Sequence, residues 1–389
     1  MEGEGRKRVV IEQVTPEIDG GRFPIKRVTG ENVVVSAGIF ADGHDTVAAR
    51  VLYRAQGDPY WKEVPMRPME NDRWTGKFLV EELGTYYYTV EGWVDCFKTW
   101  QRDLRKKCDA GQDVTVELRI GAALVDAVSK KASLHERTKL AAFARVLSGG
   151  EDRDRSVSMA LSQELTEIMD AYPDKRFADR YEKELEVRVD RGKALFSAWY
   201  ELFARSASPA AGRHGTFKDC EDFLPELSRM GFDVLYLPPI HPIGETRRKG
   251  KNNVLEVSAD DVGSPWAIGS EEGGHKAVHP PLGTLEDFER LVAGAKGQGI
   301  DIAMDLAFQC SPDHPYVKEH PEWFIWRPDG TIQFAENPPK RYEDIISFNF
   351  ETEDWKAVWE ELKSIVVFWI KRGVHIFRVD NPHTKPFPF

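Results

Sequence analysis

The sequence predicts a multidomain chain: an N-terminal antiparallel β-sandwich of immunoglobulin-like type with a helical insert, followed by the first half of a (β/α)8 barrel. Three observations predict it. Short β-branched and aromatic runs separated by turn formers occupy residues 1–120. Residues 121–193 turn rich in Ala, Leu, Glu, Lys and Arg with helical spacing. From residue 194 onward, apolar strand-like runs alternate with amphipathic helical runs, the pattern of a parallel sheet.

The sandwich strands are expected at Val9-Val10-Ile11, Val33-Val34-Val35, Val47 to Tyr53, Tyr86-Tyr87-Tyr88 with Val90, and Val114 to Ile120. Trp61, Trp74, Trp93 and Trp100 are expected to fill or flank that core, with stacking on carbohydrate as the alternative. In the insert, Leu161, Leu165, Ile168 and Met169 share a helix face. Breaks at Gly149-Gly150 and Pro173 divide it into about three helices.

The barrel half opens on Leu195 to Phe203. A helix near Phe223 to Met230 follows, then the strand Val234 to Leu237. Thr284-Leu285-Glu286-Asp287 reads as a capping box opening a helix to about Gln298. Next come the strand Ile302 to Phe308 and a helix whose apolar face carries Trp355, Val358, Trp359, Leu362, Ile365, Val366 and Trp369. Gly373 closes that helix before a fourth strand, Val374 to Asp380. Long loops follow the strands, as on the active face of such barrels. A doubly wound sheet is the alternative, but no GxGxxG follows a strand.

The 389 residues suit two or three domains and carry a net charge of −11, which disfavours nucleic acid as a partner. The polar start has no apolar signal core, and no run of 18 apolar residues occurs, so neither a secretory leader nor a membrane span is expected. The four cysteines form no CxxC pair and sit at no zinc-ligand spacing, so no metal is expected and a reduced, cytoplasmic protein is.

Three groups of residues could carry chemistry. Asp380 ends a strand at the expected mouth of the barrel. Arg378, two residues earlier, points to the same face and can keep it ionised, as a retaining glycosyl-transfer nucleophile requires. An ordinary strand-end Asp is the plain alternative. Asp305 lies inside an apolar strand, where a carboxylate needs a partner, and Gln309 emerges where that strand meets its loop. A buried structural salt bridge explains Asp305 equally well. Arg247 to Asn253, with Asn337, Lys340, Arg341 and Tyr342, forms a basic, amide-rich pair of loops that suits an anion or simply a solvated surface.

PPIHPIG, GSPWAIG, HPPLGTLEDFERLV, DLAFQCSPDHP and GVHIFRVDNPHTKP, in this order, resemble the α-amylase superfamily (glycoside hydrolase family 13). They look most like its GlgE-type, maltose-1-phosphate-dependent maltosyltransferase branch, over nearly the whole chain. The resemblance implies transfer of maltosyl units from α-maltose 1-phosphate to the non-reducing end of an α-1,4-glucan, with retention, no cofactor, and a homodimer. It makes Asp380 the nucleophile, Arg378 its support and Asp305 the first-motif aspartate. Gln309-Cys310 replaces the Asn-His of common amylases, which argues against their calcium site and turns Gln309 toward the donor sugar. Lys249, Asn337, Lys340, Tyr342 and Asn381 match positions that hold the donor phosphate. The family's acid/base Glu and a further Asp lie on later strands, beyond these 389 residues. The chain is therefore expected to be a fragment, inactive and poorly soluble alone. An α-glucan hydrolase and a non-catalytic glucan-binding protein are the rival readings.

Overall fold

In the computed structural model, which describes residues 5–149, 152–258 and 260–389, alternation in sequence becomes alternation in burial. Val33, Val35, Ala37 and Ile39 point inward from one strand, while Val34 and Phe40 stay exposed. The polar start at residues 1–4 lies outside the described residues, as does Gly150 of the expected Gly149-Gly150 break.

The unit Met1–Leu195 holds two sheets. One orders β1 (Val9–Thr15), β3 (Asn32–Ala41), β7 (Arg73–Leu79) and β6 (Arg67–Pro68). The other orders β2 (Ile25–Val28), β10 (Leu185–Asp190), β8 (Gly84–Val94), β4 (Val47–Ala55) and β5 (Lys62–Pro65), with β9 (Asp179–Arg180) beside β8. Val33, Val35, Trp74 and Phe78 of the first sheet share one core with Val51, Tyr88, Val90 and Val187 of the second. The arrangement is not wholly antiparallel, because β10 pairs parallel to β2. A strand that returns after a long excursion is free of the hairpin's antiparallel constraint.

That excursion comprises α1 (Cys96–Asp109), α2 (Thr115–Ser129), α3 (Leu134–Gly149), α4 (Arg153–Ala160) and α5 (Gln163–Ala171). The helices thus occupy 96–171 rather than 121–193, and β9 and β10 fall in the stretch expected to be helical. The strand expected at Val114 to Ile120 is corrected to helix. Asp113 accepts hydrogen bonds from the backbone N–H and hydroxyl of Thr115, and Leu118, Ala122 and Val125 then form a buried stripe. Trp100 belongs to this helical core, not to the sandwich. Trp61 lies between Arg54 and Arg180, each 4.5 Å from its ring centre.

The unit Phe196–Phe389 contains a parallel sheet of four neighbouring strands in chain order. They are β11 (Trp199–Glu201), β12 (Val234–Leu237), β13 (Asp301–Leu306) and β17 (Ile376–Val379), the labels between belonging to a hairpin region described below. Helices α6 (Phe217–Met230), α7 (Leu285–Gly297) and α9 (Trp355–Ile370) connect them. Capping boxes at Thr216/Asp219 and Thr284/Asp287 open α6 and α7. Leu235, Leu237, Ile302 and Met304 face these helices, meeting Leu224, Phe288, Leu362 and Trp369 in one core. Each such side chain, fully buried, contributes about 2 kcal/mol. Gly373, at φ +90°, turns the chain after α9 into the last strand. The loop after β13 carries β14 (Gln309–Cys310), α8 (Pro315–Glu319), β15 (Phe334–Asn337) and β16 (Lys340–Ser347), and the three strands form a small antiparallel sheet. Among the described residues, no helix is long and apolar enough to cross a membrane.

Candidate active site

Strand alternation decides what leaves the helix-covered face. With Leu235 and Leu237 turned to the helices, Tyr236 turns away; with Met304 turned to them, Asp305 turns away. Register then places Arg378 directly beside Asp305. One guanidinium nitrogen, Arg378 Nη1, donates to Asp305 Oδ2 at 3.1 Å and to Asp380 Oδ1 at 2.6 Å. The Tyr236 hydroxyl donates to the same Asp305 oxygen. Asn381 Nδ2 donates to Asp380 Oδ2 at 3.1 Å from a left-handed backbone, φ 46°.

The two carboxylates differ in environment. Burial raises the Asp305 pKa, against the lowering effects of the Tyr236 hydrogen bond and the Arg378 charge. Its side chain is wholly enclosed, whereas that of Asp380 keeps 14% exposure. Hydrogen bonding to Asp380 raises the Arg378 pKa further, so the guanidinium is permanently charged. Asp305 is a fixed anchor for Arg378, and Asp380 is the carboxylate presented outward.

Asp380 and Asn381 open onto a cleft of ≈ 800 Å³ shared with Gln309, Asn337 and Tyr342. Five of the residues singled out in the sequence therefore meet in one place. Lys249 lies next to it, on the wall of a second cavity of ≈ 530 Å³ that shares Asn253, Ser264 and Trp266 with the first. Lys249 is buried and ion-paired with Glu343, whose carboxyl is held below its usual range by that bond. Lys340 is exposed at the start of β16, outside the cleft's lining. Gln309 is buried in the short strand β14, its amide donating to the Trp266 carbonyl at 3.4 Å.

Sequence reasoning missed Tyr236, Trp266, Glu343 and Asp344. The signal for Asp344 is in KRYEDIIS, where Tyr342 and Asp344 lie two residues apart and both line the cleft. Lys385 was missed too; burial lowers its pKa, partly opposed by the Asp380 charge.

One buried group has metal-ligating chemistry: His275, Cys310 and His314, whose donor atoms lie within 4.8 Å of one another. Its hydrogen bonds form a closed chain instead. Tyr316 N–H donates to His314 Nδ1 at 3.1 Å, so the His314 proton is on Nε2 and points to His275 Nδ1 at 3.1 Å. His275 Nε2 then donates to the Ala307 carbonyl at 3.0 Å. A metal on His314 Nε2 would require lone pairs on both of its nitrogens, an imidazolate, and the residues do not fit a cation as arranged.

Comparisons with known proteins agree over the length of the chain. Residues 7–191 match the family model for α-1,4-glucan:maltose-1-phosphate maltosyltransferase, domain N/S. The α-1,4-glucan:maltose-1-phosphate maltosyltransferase of Chlorobaculum tepidum is 56% identical over 386 residues, covering 99% of this chain and 58% of that protein. The protein of the same name from Myxococcus xanthus is 54% identical over 392 residues, with 98% and 58% covered. The chain thus spans a little under three fifths of these relatives. Among solved structures, an α-amylase from Lactobacillus plantarum aligns with 49% of this chain and 39% of that one, at TM-score 0.41 and 29% identity.

Proposed function

We propose that the chain belongs to the α-1,4-glucan:maltose-1-phosphate maltosyltransferase family it resembles, and that the protein carrying it transfers maltosyl units from α-maltose 1-phosphate to the non-reducing end of an α-1,4-glucan. The observation that carries this reading is the bridge from Asp305 through Arg378 Nη1 to Asp380, opening onto a cleft walled by amides and a phenol. In this reading, Phe196–Phe389 is the first half of a (β/α)8 barrel, and Met1–Leu195 is an immunoglobulin-like sandwich bearing a helical insert. The complete protein acts as a cytoplasmic homodimer.

Asp380 attacks the anomeric carbon of the donor from the face opposite phosphate. The C1–O bond breaks, phosphate departs with the electron pair, and a β-linked maltosyl ester forms on Asp380. Arg378 keeps Asp380 ionised and aimed, and Asp305 with Tyr236 keeps Arg378 in place. Asn337, Tyr342 and Asn381 supply donors to the departing phosphate, and Lys249, on the adjoining wall, supplies positive charge. The acceptor's 4-hydroxyl then attacks the same carbon, releasing Asp380 and yielding its proton to a general base. A retaining pair of carboxylates stands about 5 Å apart. Asp305 cannot be that partner, since its side chain is fully enclosed and tied to Tyr236 and Arg378. The acid/base is assigned to sequence beyond these residues, in keeping with the greater length of the relatives.

The test is phosphate release by the complete protein from α-maltose 1-phosphate and a maltooligosaccharide. Asp380→Asn is expected to lower turnover by about 10⁴-fold or more. No release by the wild type, or release indifferent to this substitution, overturns the reading. Reducing sugar formed from glycogen without phosphate would revive the hydrolase.

A further inference from the structure

Asp344 has no role in the chemistry above, yet it is a buried carboxylate of the cleft. It is 3% exposed and lines the same wall as Tyr342 and Asp380. Among the described residues, no other side chain donates a hydrogen bond to it, and its own backbone N–H is the hydrogen-bond donor within reach. Burial accordingly raises its pKa. The nearest cation, Lys249, lowers that pKa only through space and is already engaged by Glu343. Glu343 and Asp344 are neighbours on β16, and Lys249 bonds to Glu343 and not to Asp344.

A buried carboxylate accepts hydrogen bonds and cannot donate them once ionised; left without donors it destabilises the fold that holds it. A donor-rich ligand in the cleft would remove that cost. The remaining walls combine the indole of Trp266 and the phenol of Tyr342 with the amides of Asn253 and Gln309. Such a wall suits a neutral ring with apolar C–H faces and a rim of hydroxyls.

We infer that Asp344 is a sugar-binding residue whose carboxylate accepts hydrogen bonds from two neighbouring hydroxyls of one glucosyl unit seated in the cleft. The inference rests on the sugar-transfer reading of this site and adds to it a substrate contact outside the strand ends.

The experiment titrates maltose, by calorimetry, into the complete protein and its Asp344→Asn and Asp344→Ala forms, alongside steady-state kinetics with α-maltose 1-phosphate. Both variants are expected to weaken maltose binding by about 10- to 100-fold, the range for hydrogen bonds to a charged group. The rise in KM should exceed any fall in kcat. Without ligand, Asp344→Asn should melt at or above the wild-type temperature, because an uncompensated charge has gone. Equal maltose affinity in wild type and Asp344→Asn overturns the inference, as does a wild type that binds no maltose. A lower melting temperature with unchanged KM overturns it too, since that marks a structural carboxylate. The two readings separate cleanly: if the wild type binds maltose through Asp344 but releases no phosphate, the transfer reading fails and this one stands.

Discussion

Lys249 is 6% exposed, and Glu343 is its ion-pair partner. Removing one member of a buried pair leaves the other charge unsolvated, so the loss exceeds what the pair contributes when intact. Glu343→Gln is expected to lower the stability of the complete protein by about 2 kcal/mol, read as a fall in the thermal unfolding midpoint; an unchanged midpoint would contradict the pairing. At this scale, legibility followed sequence distance. Arg378 and Asp380 could be paired on paper because two residues on one strand share a face. Tyr236 and Asp305 could not, because they lie 69 residues apart and are joined only by strand register. Lys249 was legible as a cation, but its partner 94 residues away was not.

Elements were readable where local chemistry and burial agreed. Thr284 and Asp287 form the expected capping box, and Val358, Leu362, Ile365 and Trp369 are the buried face of α9 as their spacing implied. The α2 segment shows the opposite case. Val114 to Ile120 alternates like a strand, but packing against α1 overrides it. Trp100 Nε1 donates to the Glu117 carbonyl at 2.7 Å, and an added Cβ at Gly121 would fall 1.9 Å from the Trp100 ring. Gly121→Ala gains intrinsic helix propensity yet is expected to destabilise by about 1–3 kcal/mol through overpacking. A denaturant titration checks the sign: a more stable variant would show that the two helices can separate without loss.

In the unit Phe196–Phe389, the buried His241, His275 and His314 and the half-buried His279 have depressed pKa values. Burial takes His241 and His279 down to about 4 and His314 to about 3, and His275 falls well below its usual value. In the unfolded chain each titrates near 6.5. Between that value and the folded one, the unfolded state binds more protons, so the stabilisation is complete above pH 6.5 and drains away as pH falls toward 4 and then 3. Each histidine contributes a slope of about 1.4 kcal/mol per pH unit within its window. The melting temperature is expected to drop steeply from pH 6.5 to 4.5; a flat profile there would mean these rings are solvated.

The sequence by itself determined the strand–helix alternation and the strand-end Asp380 with Arg378, because each rests on residues close in the chain. Tertiary structure alone decided that α2 is a helix, that β10 rejoins the first unit's sheet, and that one guanidinium nitrogen serves both Asp305 and Asp380. It also decided that Lys249 meets Glu343 and that Asp344 is enclosed with its own backbone N–H as donor. The physical reason is common to all of these. Periodicity reports which face a side chain takes, whereas register and packing decide what it meets there, and those are set by residues tens of positions away.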